Sequence, residues 1–478
     1  MGCCNRRCGL LAGAVFGAAL AILGGILIPV GDQIIQSTVE QEARIVPGTT
    51  AYENWISSAA FVYRQMWLFD VQNALDVVEL GAAPVVKERG PYTYKVRYLA
   101  KSNITAHNDA VSFLLPNGAI FEPDMSVGSE DDLVTTVNLA VAVSEPCLSV
   151  LPPLWVYIRA PTPSSRKNGT SSWNILMKIT NSSLFQRRSV REILWGYQDP
   201  MLKNTTLGVF YPYNGTFDGY YTVNTGQDDI SRVAMIERWQ GESKLSFWND
   251  TYCDTLNGTD ASSFPPFVDK NKPIYFFSSD ICRSVSSTFR ETKDLWGIEV
   301  YRYVLPPSTF ASPSINPDNK CFCTETLVSR NCSMAGVLDV GPCRGGAPAY
   351  ISLPHFLHGS DYLRQDVHGL NPSEENHFTY LDIEPITGFT LSFAKRLQVN
   401  MMYGPSNVIS VLKHVKKYTV FPIVWLNETA TLDEATAERI KAELFSRINL
   451  LENVQMSLIG IGAAIFALCL VAYFCVRC

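Results

Sequence analysis

Cys8-Gly-Leu-Leu-Ala-Gly-Ala-Val-Phe-Gly-Ala-Ala-Leu-Ala-Ile-Leu-Gly-Gly-Ile-Leu-Ile-Pro-Val-Gly31 is a run of 24 residues without a charge, set between Arg7 and Asp32. About 20 apolar residues in a helix cross the ~30 Å hydrocarbon core of a bilayer, where no other single segment satisfies its own backbone. The reading is a membrane span over 8–31. A cleaved leader is the competing reading, but leader h-regions run only ~7–15 residues. The segment Ile28-Pro29-Val30-Gly31-Asp32 also offers no small-x-small cleavage site. At the other end, a second charge-free run, rich in Ile, Leu, Ala and Phe, lies between Glu452 and Arg477. The chain therefore divides into a tail 1–7, a span 8–31, a central domain 32–452, a span 453–476 and a tail 477–478.

Arg6 and Arg7 precede the first span and Arg477 follows the second, with no acidic residue in either tail. Positive residues stay inside, so both tails are expected in the cytoplasm and the central domain outside. Two features test that orientation independently. All nine Asn-x-Ser/Thr acceptors lie between the spans: Asn103, Asn168, Asn181, Asn204, Asn214, Asn249, Asn257, Asn331 and Asn427. Cys253, Cys282, Cys321, Cys323, Cys332 and Cys343 also crowd into the central domain. Outside the cell such a cluster reads as three disulfides, with fifteen pairings open to it. Cys147 is left over. Cys3, Cys4, Cys8, Cys475 and Cys478 flank the spans on the cytoplasmic side, where cysteines are often S-palmitoylated.

The central domain reads as α+β. Tyr92, Tyr94, Val96 and Tyr98 alternate with Thr93, Lys95 and Arg97, and similar alternation recurs at 301–304 and 389–393. Helical spacing is read over Ser183–Trp195 and over Asp433–Leu451, the latter with Thr431 as its N-cap and running into the second span. No Gly-x-Ser-x-Gly, His-Glu-x-x-His or phosphate-binding loop occurs outside the spans. No enzyme activity, cofactor or metal is expected. His355-x-x-His358 with Asp361, Asp366 and His368 invites a zinc reading, but structural or surface histidines fit that context better. Basic clusters at Arg166-Lys167, Arg187-Arg188-Arg191 and Lys413-His414-x-Lys416-Lys417 are ordinarily solvated charge; their functional reading is capture of anionic ligands. A net charge of −6 on an extracellular chain argues against nucleic acid. Gly9, Gly13 and Gly17, followed by Ala21 and Gly25, allow close helix approach, by self-association into a homo-oligomer or against the second span.

Long strings in the chain resemble the class B scavenger receptors. They include Gly24-Gly-Ile-Leu-Ile-Pro-Val-Gly-Asp32, Tyr63-Arg-Gln-Met-Trp-Leu-Phe-Asp-Val-Gln-Asn73, Arg89-Gly-Pro-Tyr-Thr-Tyr94, Pro116-Asn-Gly-Ala-Ile-Phe-Glu-Pro123, Phe276-Phe-Ser-Ser-Asp-Ile-Cys-Arg283 and Leu381-Asp-Ile-Glu-Pro-Ile-Thr-Gly388. The resemblance implies an irregular antiparallel β-barrel ectodomain with an apical helical bundle and an internal hydrophobic tunnel, anchored by two transmembrane helices. It implies the pairings Cys253–Cys321, Cys282–Cys343 and Cys323–Cys332. It implies long-chain fatty acids, oxidised lipoproteins and anionic phospholipids as ligands, with thrombospondin-type proteins binding a stretch near Tyr92–Leu154. Its location would be the plasma membrane, with the Golgi and lipid rafts. The match lapses over residues 144–181, where the family's ligand-binding lysines are expected; Lys178, Arg187 and Arg188 stand in as candidates.

Overall fold

The computed structural model describes residues 6–56, 60–142, 174–202, 205–326, 328–407 and 409–475. Both apolar runs are helical, within Arg6–Glu42 and Ser446–Cys475, and both helices are long and apolar enough to cross a membrane. The helices outrun the charge-free stretches because a charge ends contact with hydrocarbon, not backbone hydrogen bonding. They pack side by side and antiparallel: Gly13 faces Cys469, Gly17 faces Gly462 and Phe466, Gly24 faces Ile459, and Gly31 faces Leu451 and Gln455. Gly9 and Gly25 meet nothing within 4 Å. Gln455 is buried in the seam and donates to the Leu27 carbonyl at 2.8 Å.

An 11-stranded sheet dominates the central domain. Its main path runs Ile274–Ser278, Arg283–Leu295, Ile298–Val304, Tyr380–Ile383, Thr390–Tyr403, Thr419–Thr431, Val62–Val71, Val86–Val96 and Ala119–Phe121, antiparallel throughout. Thr419–Thr431 is buried on both faces over its first eight residues, which is why it reads as one apolar run rather than an alternation. Pro422 cannot donate to the ladder, and the pairing with Thr390–Tyr403 shifts register beside it, between Val399 and Asn400. A four-stranded sheet orders Ile236–Trp239, Phe217–Asn224, Ala110–Pro116 and Ser102–Ala106. The alternation read at 92–98 becomes the strand Val86–Val96, with Tyr92 and Tyr94 fully buried.

Two helix expectations need correction. Ser183–Trp195 is not one helix: Phe185–Ser189 is a strand paired with Leu133–Val137, and only Val190–Trp195 is helical. Ser189 starts that helix through a capping box, its Oγ accepting the Glu192 N–H at 3.2 Å while Glu192 accepts the Ser189 N–H at 2.9 Å. In the C-terminal segment the cap is Asp433, which accepts the Thr436 N–H at 2.8 Å; Thr431 ends the preceding strand. The helix Glu434–Ile440 then passes through a wider turn, Lys441–Phe445, into the membrane helix.

A buried ionic network ties the sheet together. Glu428, 1% exposed at its side chain, accepts from Arg64, from Arg97 Nε at 2.8 Å and from Lys395 at 3.3 Å. Lys395 also reaches Asp280 at 2.6 Å. Burial alone would raise both carboxyls; instead the surrounding cations hold Glu428 far below its usual range and Asp280 at about 2. The three disulfides join Cys253 to Cys321, Cys282 to Cys343 and Cys323 to Cys332, with Cα separations of 6.1, 6.4 and 5.9 Å.

Candidate ligand-binding face

The strand Thr419–Thr431 leads at its last residue toward the membrane helix, so its first residue lies roughly 40 Å away along the strand. Three segments meet at that distal end. The helix Ala74–Leu80 follows the strand Val62–Val71 and closes on Gly81, at φ +65°, whose N–H returns to the Asp76 and Val77 carbonyls. A side chain at 81 would collide with the His414 carbonyl, so glycine lets this helix end sit against the 410–417 segment. A helix over 174–180 is fastened to the same segment, Asn174 Oδ1 accepting the Ser410 N–H at 2.9 Å.

The outward side of this assembly is amphiphilic. Leu75, Leu80, Ile175 and Ile179 are 73%, 68%, 54% and 76% exposed, while Val77, Met177, Leu412 and Val415 point into the core. Beside them Lys178, Lys413, His414, Lys416 and Lys417 are exposed. Lys417 is paired with Asp366, and Asp76 and Glu79 lie on the outside of the first helix. Cations next to open aliphatic surface suit an anionic headgroup with an acyl chain.

Of the three sequence-based candidates, the structure brings only Lys178 to this face. Arg187 and Arg188 sit on the ribbon Phe185–Ser189, opposite Thr135 and Val134. Arg188 lies over the Tyr197 ring at 4.2 Å and reaches Glu192 at 3.4 Å, while Arg187 is exposed. The Lys413–Lys417 cluster was visible in the sequence as charge; its aliphatic neighbours were not, because 74–80, 174–180 and 410–417 meet only in three dimensions.

The remaining candidates are placed as follows. Asn103, Asn181, Asn214, Asn249, Asn257 and Asn331 are exposed. Asn427 is half-buried in the central strand, donating to Gln65 Oε1 at 3.1 Å and accepting from Arg396 Nε at 3.1 Å. Cys8 and Cys475 are exposed, near the chain-terminal ends of the two membrane helices. Cys3, Cys4, Cys147, Asn168, Asn204, Cys478 and the basic pair Arg166-Lys167 fall outside the described residues. Four of the five residues of the zinc reading are committed elsewhere, His355 to Glu88, His358 to Glu374, Asp361 to Arg364 and Asp366 to Lys417, and His368 is exposed. Among the described residues one group of three potential ligands, Asp250, Cys253 and Cys321, lies within 4.8 Å, and its sulfurs are joined in a disulfide. A cavity of about 50 Å³ lies by the Cys323–Cys332 bridge, and an open groove of about 420 Å³ runs beside Ile236.

The family model described as the CD36 family matches residues 15–473. Scavenger receptor class B member 1 of Cricetulus griseus is 31% identical over 465 residues, covering 94% of this chain and 86% of that protein. Lysosome membrane protein 2 of Homo sapiens is 30% identical over 471 residues, covering 96% and 93%. Scavenger receptor class B member 1 of Sus scrofa is 30% identical over 466 residues, covering 94% and 86%.

Proposed function

The chain belongs to the CD36 family, and from that premise we propose that it is a lipid receptor, not an enzyme, which captures anionic amphiphiles at its membrane-distal face. The ligands are long-chain fatty acids, anionic phospholipids and oxidised lipoproteins that present them. The observation carrying this reading is the juxtaposition of Lys178, Lys413 and Lys416 with exposed Leu75, Leu80, Ile175 and Ile179. Lysine supplies the attraction for a carboxylate or phosphate. Each methylene removed from water contributes ~0.8 kcal/mol, so a long acyl chain gains on the order of 10 kcal/mol on full burial. That magnitude favours an apolar conduit after first capture, and the family's hydrophobic tunnel, delivering acyl chains toward the bilayer, is the route we assign to fatty-acid uptake. Palmitoylated flanks and an exterior location at the plasma membrane, with passage through the Golgi and residence in lipid rafts, complete the reading.

The test uses full-length protein in nanodiscs of neutral lipid, titrated with a fluorescent long-chain fatty acid and with its uncharged alcohol. The wild type binds the acid saturably. Replacing Lys178, Lys413 and Lys416 together by alanine weakens the acid about tenfold, at under ~1 kcal/mol for each exposed charge, and leaves the alcohol unchanged. No saturable binding, or equal affinity in the variant, overturns the reading. An adhesion role toward thrombospondin-type proteins rests on the stretch Tyr92–Leu154; binding of such a repeat that is indifferent to added fatty acid would favour it.

A further inference from the structure

Two histidines that the ligand-binding face does not use lie buried against the sheet. His355 and His377 are 4% and 6% exposed, and their rings stack at 4.6 Å with 12° between planes. Each accepts a backbone N–H at its Nδ1: from Asn371 at 3.1 Å for His355, and from Ser373 at 3.0 Å for His377. A backbone amide only donates, so both Nδ1 atoms carry lone pairs, both rings are neutral, and the proton of each sits on Nε2. His355 Nε2–H donates to Glu88 Oε2 at 2.6 Å, and the same oxygen accepts Trp425 Nε1–H at 2.8 Å. The His355 backbone N–H is held by Gln398 Oε1 at 2.7 Å, and Trp425 meets His377 edge-on at 5.3 Å.

These contacts make the two rings the fasteners of a short segment. Asn371 and Ser373 are held through ring nitrogens, and Ser373 in turn caps the turn Glu374–His377 by accepting the Asn376 N–H at 3.2 Å. A proton can enter the His377 ring only at Nδ1. It would then aim an N–H at the amide N–H that the lone pair now accepts, and that hydrogen bond is lost.

We propose that Glu88, His355 and His377 form a proton-operated clasp, in which the two imidazoles hold residues 370–377 to the 353–359 turn and the sheet, and protonation of His377 releases that segment. The inference concerns the frame of the domain and stands whether or not the distal face binds lipid.

The surrounding charges fix the direction. His377 is faced by His355 from the 353–359 turn, by Glu88 from the strand Val86–Val96 and by Arg396 from the strand Thr390–Tyr403. Glu374, on the same turn as His377, is taken up by His358 at 3.1 Å. Burial first pushes His377 down to about 4, with His355 adding repulsion only when it is itself charged and Arg396 adding to the shift, against the pull of Glu88. A histidine freed to solvent titrates near 6.5. The closed clasp therefore excludes a proton that the open one accepts, and opening is favoured as pH falls from about 6.5 toward 4. Between pH 7 and pH 5 the ratio of open to closed rises about twentyfold.

The experiment is amide hydrogen exchange followed by mass spectrometry on full-length glycosylated protein in nanodiscs, at pH 7 and pH 5, corrected for intrinsic rates. Peptides covering 368–379 should exchange about twentyfold faster at pH 5, while the strand Thr419–Thr431 keeps its protection. In His377→Asn the Asn Oδ1 takes over the Ser373 N–H and binds no proton, so the acid response disappears with protection at pH 7 retained. Equal protection of 368–379 at both pH values in the wild type overturns the proposal, and so does a full acid response in His377→Asn. Should that variant misfold, the wild-type comparison decides alone.

Discussion

Asp339 lines the small cavity by the Cys323–Cys332 bridge, accepting the Gly341 N–H at 2.8 Å and the Thr324 hydroxyl at 3.3 Å. Burial outweighs both bonds and pushes its carboxyl up to about 6. The folded state thus holds this proton more tightly than the unfolded chain, whose aspartates titrate near 3.9. The contribution to stability is complete below about pH 4 and is lost as pH rises through 6. Asp339→Asn keeps an acceptor for Gly341 and needs no proton. In thermal unfolding at pH 7 the variant should be more stable than the wild type by about 1–2 kcal/mol, part of the ~1.4 kcal/mol per pKa unit being screened. Its profile between pH 4 and 6 should lose one proton's slope; an unchanged slope would refute the assignment. Nothing in the local sequence marks Asp339 as unusual, since its surroundings come from the 337–352 hairpin and the Cys323–Cys332 bridge, which meet only in the fold. Cysteines and sequons, by contrast, are legible from residue type alone, although the type does not reveal that Asn427 sits hydrogen-bonded inside a central strand.

At the level of elements, legibility follows the strength of the pattern. A charge-free run has one physical reading, so both membrane helices were visible, and the alternation at 92–98 required a half-buried strand. The segment 183–195 misled because Leu184, Val190, Ile193 and Leu194 satisfy a helical spacing that a strand followed by a single helical turn and a half also satisfies. The glycine stripe showed that some close packing exists and left its partner undecided; the structure sets Gly13 and Gly17 against the second membrane helix, while Gly9 meets nothing within 4 Å. That orientation has a direct test. A Cβ at position 13 would lie 2.7 Å from Cys469 Sγ, so Gly13→Cys should form an intramolecular disulfide with Cys469 on mild oxidation, detected as a cross-linked peptide pair. Gly9→Cys should not, having nothing within 4 Å. A reversed outcome would mean that the stripe serves self-association instead.

Over the whole molecule, the sheet carries information that no local window holds. It sets a helix from residue 74, another ending at 180 and a basic loop at 413–417 around one distal end, and it brings His355, His377 and Glu88 together from three distant segments. The sequence offered the lysines and histidines singly, without their neighbours. All of these assignments require the central domain to have folded outside the cytosol, between two membrane passages. The most direct measurement is site mapping of glycans on the full-length protein from its native cells, by enzymatic deglycosylation in heavy-oxygen water and mass spectrometry, with free thiols alkylated beforehand. The account predicts heavy-labelled aspartate at exposed sequons such as Asn103, Asn249 and Asn257, together with Cys253, Cys282, Cys321, Cys323, Cys332 and Cys343 protected from alkylation. Unmodified asparagine at every sequon, with those six cysteines alkylated, would place the domain in the cytosol and contradict it.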